Sequence, residues 1–226
     1  LPKKSSALST TPDLTDGQVY QDEFVHWLDA KFPTAKTDTQ RPVFFSLDNE
    51  PDLWNSTHLE IQRSALRYDD LIPKTLASAV AIKDTLPSAV IFGPVSYGYN
   101  GFVNLQSAPD NGGRNFLETY LSQVKAASDS QGRRLVDVLD LHWYSEAQGG
   151  GQRVVGGDNS DAVAQARMQA PRSLWDPTYT ETSWITQWVT LGPIQLIPDM
   201  AAKIAAQNPG TQLAFSEYNH GGEDHI

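Results

Sequence analysis

Residues 42–51 read PVFFSLDNEP, a short apolar and aromatic run that ends in two acids and an amide. A nearly continuous apolar run rich in Val and Phe is typical of a strand buried in a parallel sheet. The run stops at Asn49 and Glu50, and Pro51 disfavours the helical conformation for the residue before it. We therefore predict a strand over residues 42–48, followed by a turn in which the backbone of Glu50 is extended.

The same unit recurs along the chain. Further strands are predicted at 89–92, 135–144 and 212–217, and helices at 18–32, 57–80, 116–127 and 194–206. Thr57 and Glu60 have the spacing of a capping box, which predicts the start of the second helix. Residues 1–20, rich in Ser, Thr, Pro and Asp, are typical of an irregular surface segment. Strands that alternate with helices predict a parallel α/β fold with right-handed crossovers.

Two glutamates stand where predicted strands end. Glu50 follows the first strand beside Asn49, whose amide can hydrogen-bond a sugar hydroxyl, and Glu217 ends the last strand. Hydrolysis of a glycoside with retention uses two carboxyl groups about 5–5.5 Å apart. One glutamate at the start of a loop is more often simply solvated. Two of them at strand ends, on the face where barrel enzymes place their sites, favour a catalytic pair.

The strand at 135–144 has a polar and an apolar face. Alternation places Asp140, His142 and Tyr144 on one side and Leu141 and Trp143 on the other. His142 or Tyr144 could hydrogen-bond a catalytic carboxylate. The alternative is that both are satisfied polar residues that cap the core.

The chain has six tryptophans, many of which fall in or near predicted loops. Flat aromatic faces suit the apolar C–H faces of sugars, although a buried core position is the alternative for each of them. Trp54, four residues after Glu50, is the tryptophan we favour for substrate binding.

Composition excludes several functions. The 226 residues carry a net charge of -10, which disfavours nucleic acid as a partner. No apolar run reaches the length of a membrane span, and the absence of cysteine excludes disulfides and thiolate chemistry. The turn at residues 13–17 could hold a structural calcium ion, with a solvated turn as the alternative. His220, Glu223, Asp224 and His225 form a weak candidate for a metal cluster. We expect no catalytic metal and no required cofactor.

Four blocks of sequence together resemble glycoside hydrolase family 44. They are SLDNEPDLW at 46–54, DVLDLHWY at 137–144, APRSLWDPTY at 170–179 and LAFSEYN at 213–219. The resemblance implies a retaining endo-β-1,4-glucanase, active on cellulose derivatives, xyloglucan or mixed-linkage glucan, and located outside the cell. It implies that Glu50 is the acid/base and Glu217 the nucleophile. Substrate-binding roles are expected for the following residues: Asn49, Trp54, His142, Tyr144, Tyr218 and Asn219.

The resemblance also implies a fold, a (β/α)8 barrel joined to a β-sandwich. Residues 1–226 offer four barrel strands, which we expect to be the fourth to the seventh, and the β-sandwich is expected to lie outside this chain. We expect this part of the barrel to be inactive alone and the whole enzyme to be a monomer. The alternatives are a related retaining hemicellulase acting on xylan or mannan, and a non-catalytic carbohydrate-binding protein on a degenerate barrel.

Overall fold

The computed structural model describes residues 1–38 and 40–221 of the chain. The strands are β1 (Phe44–Ser46), β2 (Val90–Ser96), β3 (Val138–Tyr144), β4 (Gln148–Gly149), β5 (Gln152–Arg153) and β6 (Gln212–Asn219). The helices are α1 (Gln21–Lys31), α2 (Trp54–Thr57), α3 (Tyr68–Thr85), α4 (Tyr99–Asn104), α5 (Phe116–Gln131), α6 (Asp161–Gln169), α7 (Trp184–Trp188) and α8 (Leu196–Gln207). Short 3-10 helices cover Pro51–Leu53 and Ala170–Leu174.

Four of the strands form one parallel sheet in the order β1-β2-β3-β6. The connections between neighbouring strands contain α3, α5 and α8, the arrangement of repeated βα units. The helices pack on one another in the same order, α1 on α3, α3 on α5 and α5 on α8. Their apolar faces and the sheet share one core, whose largest fully buried side chains include Trp143, Tyr68 and Tyr120. All four carboxyl ends of the strands therefore lie along the same edge of the sheet.

The start of α3 differs from its predicted position. The helix begins at Tyr68, and Thr57 instead ends α2, with its hydroxyl donating to the carbonyl of Leu53 at 3.0 Å. The capping-box prediction was therefore wrong. The carboxylate of Asp110 caps α3, because it accepts the N–H groups of Tyr68 and Asp69 at 3.0 and 3.1 Å. A cap supplied from about 40 residues away has no local signature in the sequence.

The other main elements occur where they were predicted. Helix α5 starts after Asn115, whose side chain accepts the N–H of Glu118, and it ends at Gly132 in the left-handed conformation that glycine allows. The long connection after β3 holds structure that was not predicted, namely the β4–β5 hairpin, α6 and α7. Among the described residues, none of the helices combines the length and apolar character that a membrane crossing requires.

Candidate active site

Glu50 lies in the turn after β1, directly before the 3-10 helix Pro51–Leu53. Its backbone is left-handed, with φ 51° and ψ 57°, so the predicted extended conformation was wrong. Proline disfavours the right-handed helical region for the residue before it, which leaves both the extended and the left-handed regions open. Here a tertiary hydrogen bond holds Glu50 in the left-handed region. That bond joins the N–H of Glu50 to the carbonyl of Val95 at the end of β2, at 3.0 Å.

The two glutamates meet across β3. His142 Nδ1 lies 2.8 Å from Glu50 Oε1 and 3.6 Å from Glu217 Oε2. The hydroxyl of Tyr144 donates to Glu217 Oε2 at 2.6 Å. Each carboxylate therefore has its own close partner on the polar face of β3. One carboxylate oxygen of Glu50 and one of Glu217 lie within 4.8 Å of each other, so residues 167 positions apart share one site.

Burial differs sharply within this group. His142 is 1% exposed, whereas the side chains of Glu50 and Glu217 are 21% and 43% exposed. Both carboxylates can therefore contact a molecule in solvent, whereas the imidazole of His142 is buried. Leu141 and Trp143, on the other face of β3, are buried in the apolar core, as alternation predicted.

One group of side chains in the described part of the chain combines ligand type and spacing suited to a metal ion. It consists of Glu50, His142 and Glu217, whose nearest ligand atoms lie within 4.8 Å of one another. The alternative cluster predicted near the chain end includes Glu223, Asp224 and His225, which lie outside the described residues. At the predicted calcium turn, Asp13 accepts the N–H and the hydroxyl of Thr15, a local Asx turn that is solvent-exposed.

A cavity of about 330 Å³ opens beside Tyr144. It is lined by Tyr97, Gly98, Tyr99, Asn100, Gln106, Tyr144, Glu146 and Trp184. Aromatic rings and amide or carboxylate groups are the combination that contacts the C–H faces and the hydroxyls of sugars. Tyr144, whose hydroxyl donates to Glu217, forms part of the wall of this cavity, so a polar and aromatic cavity of the kind that binds carbohydrate lies beside the pair of glutamates.

The sequence and the fold can be compared with known proteins. A family model described as glycoside hydrolase family 44 matches residues 1–147. The chain is 47% identical over 242 aligned positions to a protein named β-mannanase/endoglucanase A from Caldicellulosiruptor saccharolyticus, covering 99% of this chain and 18% of that protein. The chain belongs to glycoside hydrolase family 44. The predicted resemblance is thereby confirmed.

Solved structures of family 44 confirm the fold. A family 44 endoglucanase from Clostridium thermocellum superposes with a TM-score of 0.93 at 43% identity, over all of this chain and 45% of that chain. A family 44 xyloglucanase from Paenibacillus polymyxa, solved with xyloglucan, superposes with a TM-score of 0.92 at 41% identity, over 99% of this chain and 44% of that chain. The chain thus spans less than half the length of these family members. The prediction of a parallel sheet that is part of a (β/α)8 barrel is confirmed.

Not all residues predicted for the family 44 site lie next to the carboxylates. Asn219 shares the β6 face of Glu217, opposite Tyr144 on β3, and Asn49 is exposed beside Glu50. Tyr218 is in register with Trp143 and 70% exposed, so its ring lies on the side of the sheet opposite to Glu217.

Trp54 also lies apart from the cavity beside Tyr144. Its indole N–H donates to Asp48 at 3.1 Å, and the ring borders a separate cavity of about 320 Å³ that also contacts Pro2 and Lys74. The substrate-binding roles of Trp54 and Tyr218 stay predictions.

Two buried aspartates lie close to Glu50 and Glu217 and were not predicted as site residues. Asp52 accepts the N–H of Tyr97, and burial raises its pKa to about 7. Asp140, 1% exposed, accepts the N–H of Ser216, and burial raises its pKa also. Their positions in the sequence could have indicated them, because Asp52 lies two residues after Glu50 and Asp140 shares the polar face of β3 with His142 and Tyr144.

Proposed function

We propose that the protein of which this chain is part is an endo-acting glycoside hydrolase that cleaves β-1,4 linkages in glucans with retention of configuration. The observation that carries the proposal is the approach of Glu50 and Glu217 to within 4.8 Å at the carboxyl edge of a parallel sheet. Retaining enzymes hold their two carboxyl groups about 5–5.5 Å apart, whereas inverting enzymes need about 6.5–9.5 Å to admit a water molecule.

The proposed mechanism is a double displacement. Glu217 attacks the anomeric carbon while Glu50 protonates the departing oxygen, and the bond between sugar and leaving group breaks. Glu50 then takes a proton from water, which displaces the sugar from Glu217 and restores both carboxyl groups. The hydroxyl of Tyr144, 2.6 Å from Glu217 Oε2, holds the attacking carboxylate in one orientation. His142 does the same for Glu50 at 2.8 Å.

The named activities of relatives support the substrate class. One relative is named an endoglucanase and a β-mannanase, and another is a xyloglucanase solved with xyloglucan. We assign β-1,4-glucans, including xyloglucan and cellulose derivatives, as the substrates of the whole protein. The second candidate is a mannan-active retaining enzyme, which the β-mannanase in the name of the first relative favours.

No metal takes part in the proposed reaction, because both charges that develop at the sugar are met by carboxyl groups. A structural calcium ion at residues 13–17 stays a prediction. We further propose that the protein acts outside the cell, because its substrate is a polysaccharide, and that it is a monomer.

Replacement of Glu217 by Gln in the complete enzyme is expected to lower kcat on a soluble β-glucan by roughly a thousandfold or more, as for other catalytic nucleophiles. Glu118→Gln is the matched control, because Glu118 lies on the outside of α5, paired with Lys203. Turnover by Glu217→Gln close to that of the control would refute the nucleophile assignment.

For Glu50→Ala, aryl cellobiosides with good leaving groups are expected to react, and added azide is expected to accelerate the reaction.

The stereochemistry is tested on the enzyme with both glutamates. Proton NMR of the early product should show the β-anomer first. Initial formation of the α-anomer would overturn retention. A panel of glucan, xylan and mannan then separates the substrate classes, and failure of every glycan to react would favour the non-catalytic binding protein.

A further inference from the structure

Strand β6 contains a β-bulge immediately before the proposed nucleophile. Along β3 and β6 the register runs regularly up to Leu141 opposite Phe215, and then His142 lies opposite Glu217. Ser216 is thus one extra residue on β6 with no register partner on β3. Bulges of this kind redirect the side chains that follow them and occur often beside active sites.

The bulge decides which side of the sheet Glu217 faces. In neighbouring parallel strands, residues in register point to the same side, and a slip of one residue exchanges the two sides. With a regular register, Glu217 would stand opposite Trp143, which is 1% exposed in the apolar core. The extra residue moves Glu217 to the side of His142 and Tyr144, where Tyr144 contacts it at 2.6 Å.

A buried side chain takes up the N–H that the bulge releases. The N–H of Ser216 donates to Asp140 Oδ1 at 3.0 Å, and the side chain of Asp140 is on the same face of β3 as His142 and Tyr144. Asp140 is 1% exposed, so water cannot readily replace its carboxylate. Asp140 also lies two residues before His142, so the strand that holds the bulge is the one that holds the partners of both glutamates.

We propose that Asp140 is a positioning residue for the nucleophile, acting through its hydrogen bond to the Ser216 N–H to hold the bulge that turns Glu217 toward the substrate. This inference rests on the proposed function of Glu217. Asp140 itself has no role in bond making or breaking. Without its carboxylate, the Ser216 N–H loses its acceptor, and the segment at 215–217 can shift by the small distances to which attack on a sugar carbon is sensitive.

The test isolates the attack step in the complete enzyme. A dinitrophenyl 2-fluoro-β-cellobioside transfers its sugar to the nucleophile and releases dinitrophenolate, a leaving group that needs no proton from Glu50. The burst amplitude of dinitrophenolate counts correctly folded sites, and its rate constant reports attack by Glu217. A purely structural role for Asp140 would change the amplitude and leave the rate constant unchanged.

We expect Asp140→Ala to slow the burst about 100-fold, the loss typical of a misplaced reacting group. Asp140→Asn keeps an oxygen at the position of Oδ1 and should stay within about tenfold of the wild type, since the acceptor is retained. The serine side chain is too short for its hydroxyl to reach the Ser216 N–H, so Asp140→Ser should be slowed like Asp140→Ala. It replaces the alanine variant in the test if that variant does not fold.

Asp137→Ala is the matched control. Asp137 also accepts a backbone N–H, that of Ile91 at 2.8 Å, and pairs with the buried Lys83. It lies before β3 and away from the glutamates, so the loss of these contacts should lower the burst amplitude, which counts folded sites, and not the rate of attack. Its burst rate constant should equal that of the wild type. Rate constants within threefold of wild type for Asp140→Ala or Asp140→Ser would overturn the proposal, as would equal slowing by Asn and Ala. A normal burst in Glu217→Gln would instead refute the proposed function itself.

Discussion

At the scale of single residues, the surroundings of Glu50 hold it in a conformation that few residues adopt. A left-handed backbone at a residue other than glycine costs of the order of 1–3 kcal/mol and persists only where other contacts impose it. Here Glu50 bonds to Val95, and Asp52, two residues later, accepts the N–H of Tyr97 at 3.1 Å. Both contacts tie the loop to the end of β2. The lack of a side chain at Gly101 makes room for this, because a methyl group there would stand 1.9 Å from Asp52 Oδ2.

Asp52 should make stability depend on pH in an unusual direction. Its carboxyl is 3% exposed, and burial raises its pKa from 3.8 to about 7, so the folded state retains the proton more strongly than the unfolded chain. The resulting stabilisation is complete below pH 3.8 and is lost as the pH rises to 7. Between pH 5 and pH 8 it amounts to about 3 kcal/mol.

Urea unfolding of the wild type and of Asp52→Asn at both pH values measures this effect. The wild type is expected to lose about 3 kcal/mol more than the variant between pH 5 and pH 8, because Asn does not titrate. Asp129→Asn, an exposed site on α5, should leave the wild-type dependence unchanged. Parallel pH dependences for the wild type and Asp52→Asn would show that Asp52 is ionised throughout.

At the scale of elements, the β4–β5 hairpin packs closely on α6. A methyl group at Gly149 would stand 2.0 Å from the backbone oxygen of Ala162 near the start of α6, so only glycine permits this approach. Ser160 caps α6 through the N–H of Val163, and Arg167 donates to the carbonyl of Val154 at 2.7 Å. The hairpin and α6 therefore pack together as one unit within the connection that follows β3.

Gly149→Ala is expected to destabilise the protein by about 1–3 kcal/mol, because backbone must move to admit the methyl group. Gly157→Ala is the control, since open space surrounds that position and its φ is not left-handed. The control should stay within about 0.5 kcal/mol of the wild type. Thermal unfolding of both variants measures the difference, and equal midpoints would contradict the close approach.

At the scale of the whole molecule, the described residues form an open sheet of four strands, with β1 and β6 at its edges. A closed (β/α)8 barrel has eight strands. Large apolar side chains are exposed near the β1 edge, among them Phe44 at 59% and, on α1, Phe24 and Trp27 at 48% and 40%. In the family members compared above, the match covers less than half of the chain. Glu217 therefore lies on one edge strand of the sheet, and Glu50 lies in the turn that follows the other.

Residues 1–226 expressed alone are expected to hydrolyse soluble β-glucan at least about 100-fold more slowly than the complete enzyme, because an open sheet holds β1 and β6 less rigidly. The exposed apolar side chains should also cause association that increases with concentration. Activity assays on the two proteins measure the first effect, and sedimentation in the analytical ultracentrifuge measures the second. Equal turnover per site would show that half a barrel suffices.

The sequence by itself determined the parallel α/β architecture, the two strands at whose carboxyl ends Glu50 and Glu217 lie, and the two faces of β3, because apolar periodicity and turn residues are local properties. Only the tertiary structure decided the left-handed backbone of Glu50, the cap of α3 by Asp110 and the bulge at Ser216. Each of these depends on a hydrogen bond between segments more than 40 residues apart. Such partners come together only when the strands and helices assemble, so no local sequence pattern predicts them.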